Sequence, residues 1–531
     1  MCGIWGVIEI GDSNVLGSGA CDFQKYFWKI RHRGPDFSAI HMYDRCLVGH
    51  HRLTINDDSF ASNQPFVLTK DDWSYVLVCN GEIYSYRELQ EKYGLSSSGN
   101  DCYALVELFR ILTEEEWVGL FQNNEIVGEY AFMLVVFRHN KFERVILGRD
   151  PLGVKPLYSS SFSGRTLYVS SELKGIPEES KRNAQYRPGT LTIVENRSAR
   201  VINYNPLRER VRGSMVVDLT QTIRESVINS IKRRLVTDKP MAFLLSGGVD
   251  SSIVCAVSSL LMGKKIKTFS CGLLGSTDLK YARMVAEHLG SDHHEVVFSR
   301  KEALGLIDRI VYVTESWDTT TIRASVGQYI VTKYIAENCP DIRVLMVGEG
   351  PDEVCSSYLF NWFAPSGDAL DKVARRMVSR IHYYDGKRAD KCSAYWGLEV
   401  RVPFLDPEFI SAYWGIPADQ RHPRYKNIEK WWLRDAFKDL LPEEVAWRRK
   451  EAFSDGISSV EDSWHHILKR FYEEKKTDER GYLLGKFVDL FGAHNVPVLP
   501  GYWQPEFVEN SGYVDPSARE LTKFGCDMYN H

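Results

Sequence analysis

The hydrophobic period of the chain changes at Leu219, so two unlike architectures share one polypeptide. From there Leu219, Ile223, Val227, Ile231 and Leu235 recur at helical spacing, with Arg224, Glu225, Asn229 and Lys232 between them, the pattern of a surface helix. An apolar strand follows at 241–245, then a helix from Ile253, a strand at 266–271, a helix carrying Ala282, Val285, Ala286 and Leu289, and a strand at 344–347. Strands alternating with helices predict a parallel α/β sheet. Before Leu219 the pattern is one of short strands, at 3–10, 75–79, 131–137, 145–147, 167–170 and 191–194, separated by Gly, Pro, Asn and Asp turns. That spacing predicts an antiparallel sandwich or layered α+β unit with few helices. One of these, near 103–112, presents Leu105, Leu108 and Phe109 on a single face as a cover over one sheet. The Arg-rich polar stretch at 205–214, with Pro206 and Gly213, reads as the connection. The expected division is a domain at 1–205, a linker at 206–216 and a domain at 217–531.

Composition removes several classes of function. Lys and Arg number 66 against 70 Asp and Glu, a net charge of −4, which disfavours a sequence-independent nucleic-acid binder. The longest apolar run, 130–137, is far short of the roughly 18 residues that a membrane span needs. No membrane partner is expected, and the cytoplasm is the default location. Eleven cysteines lie scattered without a CxxC pair or clustered His, which suggests neither a disulfide framework nor a zinc site.

Two places carry chemistry. The chain opens Met1-Cys2-Gly3-Ile4, and loss of Met1 would put a thiol and a free α-amine on one residue. An α-amine with a pKa near 7.7–8.0 is about 10–17% unprotonated at pH 7, against about 0.04% for a lysine, so it can serve as the base for its own thiol. Acyl transfer also needs donors for an oxyanion, and the Asn80 amide with the Gly81 N–H could supply them. An Asn-Gly pair alone is usually a turn.

The second place is 244–252, Leu-Leu-Ser-Gly-Gly-Val-Asp-Ser-Ser, between a strand and a helix. Gly247 and Gly248 let backbone N–H groups approach an anion, and Ser246, Ser251 and the helix N-terminus complete a phosphate cradle. No GxxxxGK[ST] string is present, so this is not a Walker loop. Asp250 accepts hydrogen bonds only, and Mg²⁺ must stand between it and a phosphate.

In combination the motifs are far more specific. Cys2-Gly3-Ile4, Arg31-His32-Arg33-Gly34-Pro35-Asp36, His51-Arg52-Leu53, Asn80-Gly81-Glu82-Ile83-Tyr84, Gly99-Asn100-Asp101 and Gly148-Arg149-Asp150-Pro151-Leu152-Gly153 make 1–205 resemble the class II, N-terminal-cysteine glutamine amidotransferases. The resemblance implies an N-terminal-nucleophile sandwich in which Cys2 attacks glutamine and Asn80 and Gly81 hold the oxyanion. It further implies that Arg52 takes the α-carboxylate and Asp101 the α-ammonium, with Asn80 and Glu82 also among the glutamine-binding residues. The loop at 244–252 is similar to that of the ATP pyrophosphatases. Together with Thr320 to Ser325, WGLEVRVPFLD at 396–406 and WRRKEAFSDG at 447–456, the whole chain resembles the glutamine-hydrolysing asparagine synthetase family, down to an animal-type tail at 515–519.

What that implies is aspartate activated by ATP to β-aspartyl-AMP and then amidated by ammonia from Cys2, in a homodimer. Leu244, Cys271, Val347 and Gly348 would line the nucleotide pocket, and Asp250 and Asp352 would act through Mg²⁺. Glu349 and Lys450 would work at the intermediate, with Thr321 and Arg323 holding aspartate or the intermediate. The chain departs from the family pattern at Val347, Pro351 and Ser357. Two rival readings use the same fold, a β-lactam-forming relative and a catalytically silent interaction protein. Intact Cys2, Asn80 and Asp101 speak against the first, and surviving acidic residues around Pro351 against the second.

Overall fold

The structure, a computed structural model, describes residues 1–10, 15–160, 165–195, 198–207, 218–459 and 461–508. The expected linker from residue 208 onward and the tail at 515–519 lie outside them.

Two six-stranded antiparallel sheets form the first part. One runs in the order Asn183–Gln185, Tyr158–Ser160, Thr166–Ser170, Gly3–Glu9, Cys46–Arg52, Phe37–Tyr43. The other runs Ser198–Asn203, Thr190–Glu195, Lys141–Arg149, Gly128–Arg138, Trp73–Ile83, Phe66–Lys70. Their facing sides bury Ile4, Ile8 and Val48 against Val76, Val78, Met133 and Val135, the alternating residues of a sandwich core.

Helices cover both outer faces, more of them than the strand-rich pattern suggests. Tyr103–Ile111 and Glu114–Gln122 lay Leu105, Phe109, Trp117 and Phe121 on one sheet. Val15–Trp28 lays Leu16, Phe23 and Phe27 on the other, against Trp5 and Leu47. The helix at 15–28 is kinked at Gly19, which interrupts the apolar period in the sequence. The helix at 114–122 is announced by a capping box between Thr113 and Glu116.

Two adjacent histidines on the strand Cys46–Arg52 give this core a pH dependence. Burial, then the neighbouring His51, lowers the His50 pKa to about 3, and neither ring nitrogen has a partner among the described residues. His51 is stacked 3.9 Å from Phe27, bonds Ser38 Oγ at 2.7 Å and the Phe27 carbonyl at 3.0 Å, and burial lowers its pKa to about 4. Both rings are neutral when folded, whereas the unfolded chain binds their protons below about pH 6.5. Stability therefore rises with pH across this window and is lost as pH falls from about 6.5 towards 4, by at most roughly 2.7 kcal/mol per pH unit for two protons. Melting temperatures measured between pH 7 and pH 5 should fall accordingly, and His51→Gln should flatten the slope by about half. A flat profile in the unmodified chain would contradict this.

The second part is built on a five-stranded parallel sheet, in the order Asp292–Phe298, Lys267–Leu273, Met241–Leu244, Val344–Met346, Glu399–Arg401. Helices lie between successive strands, and the expected alternation after Leu219 is present: Leu219–Arg234, Val249–Met262, Thr277–Leu289 and Thr319–Asn338 are all helical. Met241–Leu244 and Val344–Met346 are neighbours, so the loops at their carboxyl ends open side by side. In open α/β sheets that is where ligands bind.

Candidate active sites

Residue Cys2 sits at the head of the strand Gly3–Glu9, its thiol 3.8 Å from the Leu53 carbonyl. Burial, offset in part by the amine of Met1, pushes the thiol up to about 11, and Met1's amine is lowered by burial to about 6. With the thiol held this high Cys2 is a poor nucleophile, and with Met1 in place its own nitrogen is an amide that cannot take the thiol proton.

The opposite sheet supplies Asn80, fully buried, with neither amide atom partnered among the described residues. An orphaned carboxamide is costly inside a protein and fits a group that completes its bonds on a ligand. Gly81 has φ +149°, and a Cβ there would come within 2.1 Å of the Glu129 carbonyl, so only glycine allows the strand this turn.

The other residues expected of the amidotransferase site are Arg52, Glu82 and Asp101. Arg52 Nη1 donates to the Ser59 carbonyl at 3.0 Å and Asn63 Oδ1 at 2.7 Å, and its Nη2 to the Asp57 carbonyl, which ties it to the loop that follows its strand. Asp101 accepts the Ile83 N–H at 2.7 Å and the Cys102 thiol at 3.4 Å, and burial raises its pKa. Glu82 accepts from Asn56 Nδ2 at 2.7 Å. Burial, with the carboxylates of Glu399 and Asp101 nearby, raises its pKa well above the usual range.

A single cavity at the carboxyl end of the parallel sheet is lined by Leu244, Ser246, Gly248, Asp250, Ser251, Cys271, Val347, Gly348, Glu349, Asp352 and Lys450. These are the sequence-expected residues of its lining, which also includes Asp278, Thr320, Gln328, Asp385 and Arg388. Gly247 is in the same loop with φ +74°, where a Cβ would meet the backbone of Tyr281 and Ala282 at 2.4 Å. At Gly348 a Cβ would come within 2.7 Å of the Ser251 nitrogen, so glycine is what lets the second loop close on the first. The helix Val249–Met262 begins at the loop, with Gly248 as its N-cap, and Ser246 and Ser251 hydroxyls lie 3.1 Å apart. Hydroxyls at a helix N-terminus, whose first-turn N–H groups have no helical partner, are the makings of a phosphate site.

The acidic residues are brought together by a lysine that the sequence did not advertise. Lys430, fully buried, donates to Asp250 Oδ2 at 2.6 Å and lies 2.5 Å from Asp352 Oδ1. Lys450 Nζ donates to Asp352 Oδ2 at 2.5 Å. Burial would raise the Asp352 pKa, but the two ammonium groups outweigh it and hold the carboxyl well below its ordinary range.

Asp250 Oδ1 has no partner among the described residues, and no group of three or more His, Cys, Asp or Glu there could hold a metal by itself. The spare Asp250 oxygen fits Mg²⁺, which commonly takes one or two protein carboxylates and completes its shell with water and phosphate oxygens, whereas both oxygens of Asp352 are engaged by Lys430, Lys450 and Ser357. Glu349 pairs with Arg388 at 2.8 Å, and burial raises its pKa against that pull.

Departures from the family pattern are absorbed locally. Pro351 is the first residue of the short helix Pro351–Val354, where its missing N–H removes no helical bond, and Gly350 before it has φ +107°. Ser357 donates its hydroxyl to Asp352.

Thr321 and Arg323 are placed elsewhere. The face of Thr319–Asn338 that lines the cavity carries Thr320, Ala324, Gln328 and Val331. Thr321 instead bonds Asp318 through both its N–H (2.7 Å) and hydroxyl (2.8 Å) as part of the N-cap, and Arg323 Nε donates to Glu479 Oε1 at 3.0 Å. Arg388, which bonds Glu349 and also Gln328 Oε1 at 2.6 Å, is a guanidinium of the cavity that touches that face.

Comparison with known proteins matches both halves of the chain. A glutamine amidotransferase domain model matches 1–212, and an asparagine synthase model matches 222–366 and 363–496. Asparagine synthetase [glutamine-hydrolyzing] of Mus musculus is 34% identical over 579 residues, and that of Homo sapiens 33% over 580, each alignment covering 99% of this chain and 99% of the relative. An antiparallel sandwich headed by Cys2, followed by a parallel sheet with a Ser-Gly-Gly loop, matched along its whole length, places this chain in the asparagine synthase family, with an amidotransferase domain at its N-terminal end.

Proposed function

We propose that the chain makes asparagine from aspartate, ATP and glutamine, with glutamine hydrolysed in 1–205 and aspartate activated in 217–531. The observation that carries this reading is the single cavity in which the Ser246–Ser251 loop faces Glu349, Asp352 and Lys450. Relatives of nearly equal length bearing that name support it. We place the enzyme in the cytoplasm as a homodimer, the latter on the family resemblance; no described helix is long and apolar enough to cross a membrane.

In the first site the Cys2 sulfur attacks the glutamine carboxamide carbon, and its proton passes to the Cys2 amine once Met1 is gone. The Asn80 amide and Gly81 N–H take the oxyanion, ammonia leaves with that proton, and water releases glutamate from the thioester. Arg52 suits the α-carboxylate, and Asp101 and Glu82 suit the ammonium.

In the second site the loop N–H groups and Ser246 and Ser251 hydroxyls would hold the phosphates, with Leu244, Cys271, Val347 and Gly348 around the base. Asp250 and Asp352 would hold Mg²⁺, which when bound neutralises the departing pyrophosphate. An oxygen of the aspartate side chain attacks the α-phosphorus, and Lys450 offsets the charge that builds there. Ammonia then attacks the acyl carbon, AMP leaves, and Glu349, whose proton affinity burial has raised, suits the proton that the nitrogen gives up.

Pyrophosphate release tests the reading. It should require aspartate, ATP and Mg²⁺ together, and should yield one asparagine per pyrophosphate when glutamine is present. Pyrophosphate release that is indifferent to aspartate would reject it.

A further inference from the structure

Arg401 belongs to the parallel sheet yet reaches the amidotransferase site. It closes the strand Glu399–Arg401, and its carbonyl accepts the Val347 N–H at 3.1 Å, at the head of the loop Val347-Gly348-Glu349. Its side chain, fully buried, turns the other way. Nη1 donates to the carbonyls of Arg234 (2.8 Å), the last residue of the helix Leu219–Arg234, and Val236 (2.6 Å), just past it, and Nε donates to Glu399 Oε1 at 2.9 Å. Nη2 makes no hydrogen bond among the described residues but stands 3.2 Å from Glu82 Oε2.

Glu82 needs that cation. It lies with Glu399 and Asp101 in a buried acidic cluster, and a carboxylate so placed is costly without a positive neighbour. Asn56 offers a neutral hydrogen bond at 2.7 Å, so charge compensation at Glu82 falls first to Arg401.

We propose that Arg401 is a positioning residue of the glutamine site, supplied by the opposite half of the chain, which holds the Glu82 carboxyl group in place for the substrate. The inference rests on reading Glu82 as a glutamine ligand.

Glutamate formation from glutamine by the full chain, measured without ATP, tests it. Arg401→Met should raise the glutamine KM at least about tenfold while kcat changes less than about threefold, since the nucleophile and oxyanion donors are untouched. Arg401→Lys restores a cation and should recover most of the KM. Glu82→Gln, which leaves the bonds of Arg401 to Arg234 and Val236 intact, should raise KM as Arg401→Met does, and the double variant should be no worse than either single one. Ammonia-dependent synthesis should persist in Arg401→Met, because the bond to Val347 uses the main chain. An unmoved KM in Arg401→Met, multiplicative effects in the double variant, or a parallel fall of both activities would overturn the proposal. If the unmodified chain forms no glutamate from glutamine, the reading of the site itself fails, an outcome distinct from a glutaminase whose KM ignores Arg401.

Discussion

Cys2→Ala should reduce glutamine-dependent asparagine formation to background while asparagine formation from ammonium salts continues at close to the unmodified rate. The sulfur is the only atom removed, and the cavity at the end of the parallel sheet contains no part of the amidotransferase sandwich. The two chemistries then share only ammonia. The variant loses the acyl-enzyme route altogether, so the expected loss in glutamine hydrolysis is at least about 1,000-fold. The same account requires the active chain to begin at Cys2. With Met1 attached, the thiol is held up to about 11 and has no amine of its own to give its proton to. The intact mass of active enzyme should therefore lack the methionine, and a preparation that retains it should use ammonia but not glutamine. Loss of both activities in a folded Cys2→Ala protein would show that the sites are not separable.

Asp250→Asn should fail with both nitrogen sources, by at least about 100-fold in synthesis, because a neutral amide cannot hold the cation that the pyrophosphate needs. Glutamate formation at Cys2 should largely survive. The substitution keeps the side-chain volume and leaves Lys430 its second partner at 2.5 Å, Asp352, so the cost in stability is that of one weakened charged hydrogen bond, about 1.5–3 kcal/mol. The Mg²⁺ concentration needed for half-maximal pyrophosphate release is the discriminating readout. If that concentration and the ammonia-dependent rate are unchanged in Asp250→Asn, the loop does not hold the metal.

The phosphate loop was legible because its chemistry is local. Two glycines, two serines and an aspartate between an apolar strand and a helix are read directly from sequence, and positive φ at Gly247 is the physical content of that pattern. The sandwich was legible for the same reason, through alternation at period two.

What escaped the sequence depends on phase and on long-range contact. Residues 320 to 323 read as one motif, yet a helix turns about 100° per residue, so Thr320 faces the cavity while Thr321 caps the helix and Arg323 finds Glu479. Lys430 carries no local signature. It begins a helix with φ +59°, and only the fold sets its ammonium between carboxylates 180 and 78 residues away. Arg401 sat in a quoted motif, but its reach to Glu82 exists only once the two sheets have docked. The short helix at 351–354 turns Pro351 from a departure from the family pattern into a helix start, which no reading of the string Gly-Pro-Asp-Glu alone decides.

The most direct test of the account follows oxygen. Aspartate labelled with ¹⁸O in its side-chain carboxylate, turned over with ATP, Mg²⁺ and glutamine, should give AMP carrying one labelled oxygen in its phosphate and pyrophosphate carrying none, because a carboxylate oxygen attacks the α-phosphorus and leaves with AMP when ammonia arrives. Asparagine formed without label in AMP, or with label in inorganic phosphate and ADP as the nucleotide product, would contradict it.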